Sequence, residues 1–434
     1  MIRNMLVVLG LLLLTFVSAA QDEPIVIDFY YPTAVEGPIN DILQGYADDF
    51  MAENPGIQIN VTYTGSYNQT RDTILAEGDA PLVDVAVMLA IDLYSFVEDG
   101  YIVPLQPYID ASEDFNADDF FPAFWTNSIV EEGGAIWSVP FQRSTPILFY
   151  NADLLAEAGL EVPTNNEELV AVAQALTTEE RIGLGLPVAG VFPSWLFQSF
   201  AYAYGQPLVE LDPAQVYFNT PTTLEALEFV TRLGMSVEDG GFGVGPMGGT
   251  AWGETPEAFT SGNAAMIYHT TGSLTSILQN ADFEVGVAFM PSGPAGEDGT
   301  GFGAPTGGGN LYMFDDGSKS EEELQAAWDW IEYLASTEIQ SDWGAATGYI
   351  AARASSWDVD PLASLAEEFP QYLVARDQLE FATKEFSTWR SIDTQNIINN
   401  QLSRVISGEV PLSEAQAVLD EAQAQADALL EEYR

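Results

Sequence analysis

The side chains that most often carry out catalysis are scarce in this chain. Its 434 residues contain one histidine, His269, and no cysteine. This composition excludes a zinc site built on several imidazoles, a cysteine nucleophile and a disulfide framework. A serine–histidine triad would have to use His269 itself, and the G-x-S-x-G turn that often presents the serine does not occur. We therefore expect no catalytic residue, no metal site and no cofactor.

Two weaker chemical patterns are present. Residues Gly243 to Gly248 fit G-x-G-x-x-G by their letters, but Pro246 interrupts the run, and neither a clear strand before it nor a helix after it supports nucleotide binding. The 65 acidic residues supply by chance many carboxylate pairs of the kind that glycoside hydrolysis requires. A secreted glycan-degrading enzyme therefore remains the alternative from another functional class.

Aromatic residues point to binding instead of catalysis. The chain has 9 tryptophans and 18 tyrosines. A neutral sugar is held by aromatic rings against its C–H faces and by polar side chains on its hydroxyl groups, in a cleft that closes and excludes water. The sequence must then supply two lobes that can form such a cleft.

The residues from Val139 to Leu160 predict the crossing between two lobes. An apolar, strand-like run comes first, and a helix follows, with Asn151 as its N-cap and Gly159 at its end. Before this stretch, residues 24 to 89 alternate between strand and helix patterns in the order β-α-β-α-β. This order predicts a mostly parallel sheet covered by helices.

Length and charge limit the alternatives further. A chain of 434 residues is too long for one compact core, so two lobes are expected. The formal net charge is −53, from 65 acidic and 12 basic residues. Such a surface repels nucleic acids and anionic membranes, so we reject both as partners. It also favours a salt-rich habitat, where screening is strong.

Residues 1–20 have the pattern of a signal peptide. A basic start at Arg3 is followed by an apolar run from Met5 to Val17 and by small residues before a cleavage point near Ala20. The apolar run is short compared with the roughly 20 residues of a membrane span. We expect an exported protein in the periplasm or the extracellular, cell-surface space.

Five phrases in order resemble one known family. The phrases are ENPGIxIxxxYxGSYxQ, DGYIVPLQPYI, PFxxSTPxLxYNxDLxxxAGL, FTSGNAAMI and FEVGVAFMP. In this order the chain resembles family 1 extracellular solute-binding proteins of ABC importers, which include maltose-binding-protein-like sugar binders and glycerol-3-phosphate binders. The resemblance extends over almost the whole chain after residue 20.

The resemblance implies a fold and a mode of action. The fold class is α/β, a two-lobe periplasmic-binding-protein fold of type II, in which each lobe is a mixed sheet flanked by helices. The N-terminal lobe would comprise residues 24–141 plus 287–333, and the C-terminal lobe 142–286 plus 334–434. A ligand cleft would lie between them. The partners implied are a small carbohydrate-like ligand and the transmembrane subunits of an ABC permease, with the protein itself a monomer.

The resemblance also assigns candidate ligand contacts by position. These are Tyr67, Ser144, Trp195, Thr271, Gly272, Ser273, Gly308, Tyr349 and Arg390. Two departures from the glycerol-phosphate binders concern the ligand. Met88 stands where those proteins carry an acidic contact, and Arg390 matches their phosphate-binding arginine only with a shift. Phosphate recognition favours a guanidinium fork, but this acidic chain repels anions and has only 12 basic residues. We therefore expect a neutral mono- or oligosaccharide. Glycerol-3-phosphate or a glycerophosphodiester remains the alternative.

Overall fold

A computed structural model describes residues 24–76, 83–189, 193–210, 212–291 and 304–434. The predicted signal peptide at residues 1–20 lies outside these ranges. The strands are β1 Ile25–Tyr31, β2 Ile57–Tyr63, β3 Val85–Leu89, β4 Val139–Ser144, β5 Pro146–Asn151, β6 Ile182–Gly185, β7 Ala264–Thr270, β8 Val285–Ala288, β9 Ala304–Pro305, β10 Gly307–Met313 and β11 Ala382–Thr383.

Helices flank these strands. The α-helices are α1 Ile39–Glu53, α2 Tyr67–Ala76, α3 Leu93–Asp99, α4 Gln106–Ala111, α5 Pro122–Trp125, α6 Ala152–Ala158, α7 Asn166–Leu176, α8 Pro193–Ala203, α9 Pro221–Gly234, α10 Glu254–Thr260, α11 Leu274–Asn280, α12 Glu321–Leu334, α13 Thr337–Thr347, α14 Leu362–Glu368, α15 Gln371–Asp377, α16 Ser391–Ile406 and α17 Ala415–Leu430. Short 3₁₀ turns lie at Ala90–Asp92, Ala117–Asp119, Thr271–Ser273, Ser355–Asp358, Gln378–Phe381, Leu412–Glu414 and Glu431–Tyr433. Among the described helices, none is long and apolar enough to span a bilayer.

The first sheet has five strands in the order β2-β1-β3-β10-β4. Strand β1 pairs in parallel with β2 and β3, as the alternating pattern predicted, whereas β10 is antiparallel to both β3 and β4. The sheet is therefore mixed. Strand β10 lies between β3 and β4 in the sheet, although it is far from both in the sequence.

The second sheet has four strands in the order β6-β7-β5-β8. Strands β6 and β7 run in parallel, and β5 is antiparallel to both β7 and β8. Helices α8, α9, α16 and α17 belong to the apolar core on this side, which holds Phe197, Leu227, Leu402 and Leu419 among its fully buried members. The two mixed sheets with flanking helices confirm the predicted α/β fold class.

The chain first passes between the sheets at Thr145, the single residue that separates β4 from β5. The local prediction for this stretch is confirmed. The Asn151 side chain accepts a hydrogen bond of 3.0 Å from the backbone N–H of Leu154, and Gly159 ends α6 in the left-handed region with φ of 66°. Only a residue without a Cβ adopts that conformation at no steric cost.

The chain returns to the first sheet later than predicted. The predicted boundary between residues 286 and 287 divides β8, but all of β8 pairs with β5 in the second sheet. The first sheet resumes with β10 at Gly307. The later helix α12, which packs against β1, fits the predicted end of that segment. The division into lobes as a whole remains a prediction.

Candidate functional site

A cavity lies where the two sheets meet, and its space amounts to about 590 Å³, part of it open to solvent. Its wall comes from both sheets and from the segments that follow their strands. The lining residues are Ala34, Tyr67, Leu89, Ile91, Ser144, Ser194, Trp195, Gln198, Trp252, Thr270, Gly308, Tyr349, Glu385, Phe386 and Gln395.

This cavity continues outward into a wider cleft. The cleft encloses about 1880 Å³, again including open solvent, and shares Ala34, Tyr67 and Trp252 with the cavity. One side consists of residues 33–36 and 66–68, which follow β1 and β2, and the other side of residues 252–280 around β7. The cavity is therefore the inner end of a cleft between the two lobes.

Two tryptophans form one wall of the cavity. The rings of Trp195 and Trp252 meet edge to face, with centroids 5.7 Å apart. The Trp195 indole donates a hydrogen bond of 3.2 Å to the Thr306 carbonyl, and the Trp252 indole donates one of 2.8 Å to the Ala34 carbonyl. Both bonds fix the rings. The bond from Trp252 reaches the segment after β1 and so joins the two lobes, whereas Thr306 lies just before β10.

Two tyrosines line the same cavity. Tyr349 stacks on Trp343 at 5.8 Å and accepts a hydrogen bond of 3.1 Å from the amide of Gln142. Burial raises the pKa of Tyr349 to about 12. Burial also raises the pKa of Tyr67, and the nearby Tyr349 phenol adds to that increase. Both side chains therefore stay neutral hydroxyl groups at physiological pH.

Backbone approaches the cavity closely at the start of β10. Gly307 and Gly308 pair with Ser144 and Arg143 of β4. A Cβ at Gly307 would lie 2.6 Å from the Trp195 indole nitrogen. Gly308 has φ of 86°, and a Cβ there would lie 2.0 Å from the Gln142 carbonyl oxygen. Both positions therefore require glycine for the wall to keep its shape.

One acidic side chain, Glu385, also lines the cavity. Its residue is 4% exposed. Burial raises the pKa of Glu385 to about 8, against the opposing effect of the Arg143 guanidinium. Arg143 is fully buried and is not among the lining residues. Its Nη1 donates a hydrogen bond of 3.1 Å to the Gly308 carbonyl.

The structure brings together five of the nine predicted contacts. Tyr67, Ser144, Trp195, Gly308 and Tyr349 all line the cavity. Their roles toward a ligand remain predictions, but their positions converge on one site from five separate parts of the sequence.

The other four predicted contacts lie elsewhere. Thr271, Gly272 and Ser273 form the 3₁₀ turn after β7. Gly272 packs against the Tyr349 ring, and Ser273 faces the outer cleft, while Thr270 lines the cavity itself. Arg390 does not line the cavity: its side chain is 38% exposed and pairs with Asp393 at 2.5 Å.

Several lining residues were not predicted from the sequence. Gln198 follows Trp195 by three positions on α8, so helical spacing could have indicated it. Trp252, alone in a glycine-rich stretch, was also visible as an isolated aromatic residue. Glu385 had no distinguishing signal, because it is one of 65 acidic residues and its burial depends on the tertiary structure.

His269, the one histidine of the chain, lies in the outer cleft and is held by two hydrogen bonds. Within the described ranges, no group of three or more histidine, aspartate or glutamate side chains is placed to hold a metal ion. The His269 ring donates from Nε2 to the Trp252 carbonyl at 3.1 Å, and its Nδ1 accepts from the Ser273 hydroxyl at 2.9 Å. Burial lowers the pKa of His269 to about 4, so the ring stays neutral.

Two α/β lobes joined at strands, with an aromatic-lined cleft between them, define a two-lobe solute-binding protein of the type II periplasmic class. The model of the family described as "Bacterial extracellular solute-binding protein" matches residues 45–370. The chain belongs to this family. It is a solute-binding protein of the kind that serves ABC importers.

Individual relatives agree with this assignment. The sn-glycerol-3-phosphate-binding periplasmic protein UgpB of Yersinia pseudotuberculosis serotype I (strain IP32953) is 25% identical over 422 residues, which are 92% of this chain and 91% of that one. The crystal structure of UgpB from Mycobacterium tuberculosis in complex with glycerophosphocholine has a TM-score of 0.79 at 20% identity, covering 95% of this chain and 99% of that one. Maltose-bound MalE3 of T. maritima also has a TM-score of 0.79, at 19% identity, covering 93% and 99%. The structural likenesses establish the fold.

Proposed function

We propose that the protein is exported, binds a small neutral carbohydrate in the cleft, and delivers it as a monomer to the transmembrane subunits of an ABC permease without chemical change. One observation carries the choice of ligand. The lining of the cavity combines aromatic rings with hydroxyl and amide side chains and one glutamate, and the described residues that form it include no lysine, arginine or histidine. Aromatic faces and uncharged polar groups match the alternating C–H and hydroxyl surface of a sugar.

The positions of Arg390 and Arg143 support a neutral ligand. A phosphate dianion binds best to a guanidinium fork with free N–H groups. Arg390 pairs with Asp393 outside the cavity. Arg143 is buried behind the lining residues, and its Nη1 donates a hydrogen bond to the Gly308 carbonyl. Neither arginine is among the described residues that line the cavity, although the Nε and Nη2 atoms of Arg143 have no hydrogen-bond partner among those residues.

A second candidate ligand is sn-glycerol-3-phosphate or a glycerophosphodiester. The relatives named above favour it, because one is an sn-glycerol-3-phosphate-binding protein and another was crystallised with glycerophosphocholine. The lining of the cavity does not favour an anionic ligand. Leu89 and Gln395 face the space, and the described lining residues include no cation.

Delivery follows from closure of the cleft. A ligand that contacts both lobes binds the closed form more tightly than the open form, so it shifts the population toward closure. The hydrogen bond from Trp252 to the Ala34 carbonyl already connects the lobes at the mouth of the cavity. The closed form would then present both lobes to the permease.

The test is calorimetric titration of the protein in about 1 M NaCl, where the Debye length is about 3 Å. The panel contains glucose, maltose, ribitol, sn-glycerol-3-phosphate and glycerophosphocholine. We expect saturable binding of a neutral compound, which chromatography then recovers unchanged. Binding of the phosphorylated compounds alone would establish the second candidate. Consumption of a neutral compound would support the glycan-degrading alternative.

A further inference from the structure

Backbone hydrogen bonds hold Glu385 at the cavity, but among the described residues its side-chain Oε2 atom has no partner. Its backbone N–H donates to the side-chain oxygen of Asn127, and its carbonyl accepts from the Asn127 amide nitrogen, both at 3.2 Å. The next residue, Phe386, donates from its backbone to the Gln198 side chain at 2.7 Å. In the described part of the chain, however, the Glu385 Oε2 atom is buried without a hydrogen-bond partner.

The charges around Glu385 do not satisfy this carboxyl. Arg143 on β4 and Asp92 on the 3₁₀ turn before α3 act on it electrostatically, and Tyr67 on α2 and Tyr312 on β10 also face it. The Arg143 Nε and Nη2 atoms have no hydrogen-bond partner among the described residues either. Arg143 and Glu385 do not form an ion pair within 4.0 Å, so the Glu385 Oε2 atom is left without a hydrogen bond among the described residues.

A buried carboxyl without a partner costs stability, and folding gains nothing from keeping it. Such a group is retained most readily where a ligand completes its hydrogen bonds. Glu385 lies beside Phe386 and faces the cavity that Trp195 and Tyr349 enclose. A ligand stacked on those rings would bring its polar edge to this carboxyl.

We propose that Glu385 is the specificity-determining residue of the cleft and that its carboxyl hydrogen-bonds a hydroxyl group of the ligand. The inference rests on the proposed function, because it assumes a ligand with hydroxyl groups at this position. A neutral carboxyl group has both a donor and an acceptor, as a hydroxyl group does, so the two are complementary. The burial that raises the pKa of Glu385 to about 8 keeps this form populated at neutral pH.

The test compares three variants in the same titrations at neutral pH. Glu385→Leu keeps much of the side-chain bulk but removes the hydrogen bond. Glu385→Gln imitates the neutral carboxyl with one donor group and one acceptor. Glu380→Gln, at an exposed position on the adjacent turn, removes one negative charge and serves as the control. Circular dichroism verifies that each variant is folded.

We expect Glu385→Leu to weaken binding of the neutral ligand about tenfold, the typical net effect of one hydrogen bond. Glu385→Gln and Glu380→Gln should stay within about threefold of the unmodified protein. The unmodified protein should lose affinity above pH 8, whereas Glu385→Gln should not. Unchanged affinity in Glu385→Leu would overturn the inference and leave the proposed function standing.

A phosphorylated ligand separates the two proposals. If the unmodified protein binds only sn-glycerol-3-phosphate or glycerophosphocholine, the proposed neutral ligand is wrong. Glu385 would then be supported as a ligand contact by a weaker affinity in Glu385→Leu for that compound, and overturned by an equal affinity.

Discussion

Replacing Glu385 with glutamine should make the stability of the protein less dependent on pH. The pKa of a glutamate is ordinarily about 4.5, and burial raises that of Glu385 to about 8. Between these values the folded protein keeps a proton that the unfolded chain has lost. The free energy of unfolding therefore falls as pH rises, by about 1.4 kcal/mol for each pH unit. Glutamine does not titrate, so Glu385→Gln lacks this contribution.

The expected difference is large enough to measure. From pH 5.5 to 7.5, Glu385→Gln should gain about 3 kcal/mol relative to the unmodified protein. Above pH 8 the gap should become constant, because both folded and unfolded states are then ionised. Other titrating groups act similarly in both proteins, so the comparison largely removes their effects.

Urea unfolding at constant high salt, followed by tryptophan fluorescence, measures this gap at each pH. Glu380→Gln, the exposed neighbour, controls for the removal of one negative charge from an acidic protein. A gap that does not change between pH 5.5 and 7.5 would refute the reasoning. It would mean that Glu385 is ionised in the folded protein, with Arg143 as its counter-charge.

Three further perturbations test other parts of the structure. Because the net charge is −53, raising NaCl from about 0.1 to 1 M should raise the thermal midpoint by several degrees, and a flat calorimetric profile would contradict this. Gly308→Ala places a Cβ 2.0 Å from a carbonyl oxygen and should cost about 2 kcal/mol or more in urea unfolding, against about 1 kcal/mol for Gly100→Ala, which also has positive φ but meets nothing within 4 Å. Trp252→Phe removes the hydrogen bond to the Ala34 carbonyl and should cost about 1 kcal/mol and increase the radius of gyration in X-ray scattering; an unchanged radius would show that this bond does not hold the lobes together.

Features that depend on neighbouring residues were predictable from the sequence. The N-cap at Asn151 and the helix end at Gly159 follow from side-chain and backbone preferences within one turn, and the structure contains both. The parallel pairing of β1 with β2 and β3 follows from the regular spacing of strands and helices. The predicted cavity residues were located by family resemblance, which carries three-dimensional information that composition lacks.

Features that depend on distant contacts were not predictable. The phrase around β8 is apolar and suits either sheet, and only its pairing with β5 assigns it to the second. Arg390 is the N-cap residue of α16, and its backbone has φ of 49°. The sequence does not reveal this left-handed conformation, which helps to set where the side chain lies. Glu385 differs from the other acidic residues in its position at the cavity. It lies in the segment between β11 and α16, which lines the cavity in the folded protein.

The distribution of charge around the cavity favours a ligand that requires no counter-charge. The Arg143 guanidinium lies 5.1 Å from the centre of the Phe124 ring and donates to the Gly308 carbonyl. Its Nε and Nη2 atoms have no hydrogen-bond partner among the described residues, but Arg143 is not among the residues that line the cavity. A neutral polyhydroxylated ligand requires only hydrogen bonds, and under the proposed function Ser144, Tyr349 and the Glu385 carboxyl, which all line the cavity, would supply them. The buried arginine then supports the cavity wall through its hydrogen bond to the Gly308 carbonyl.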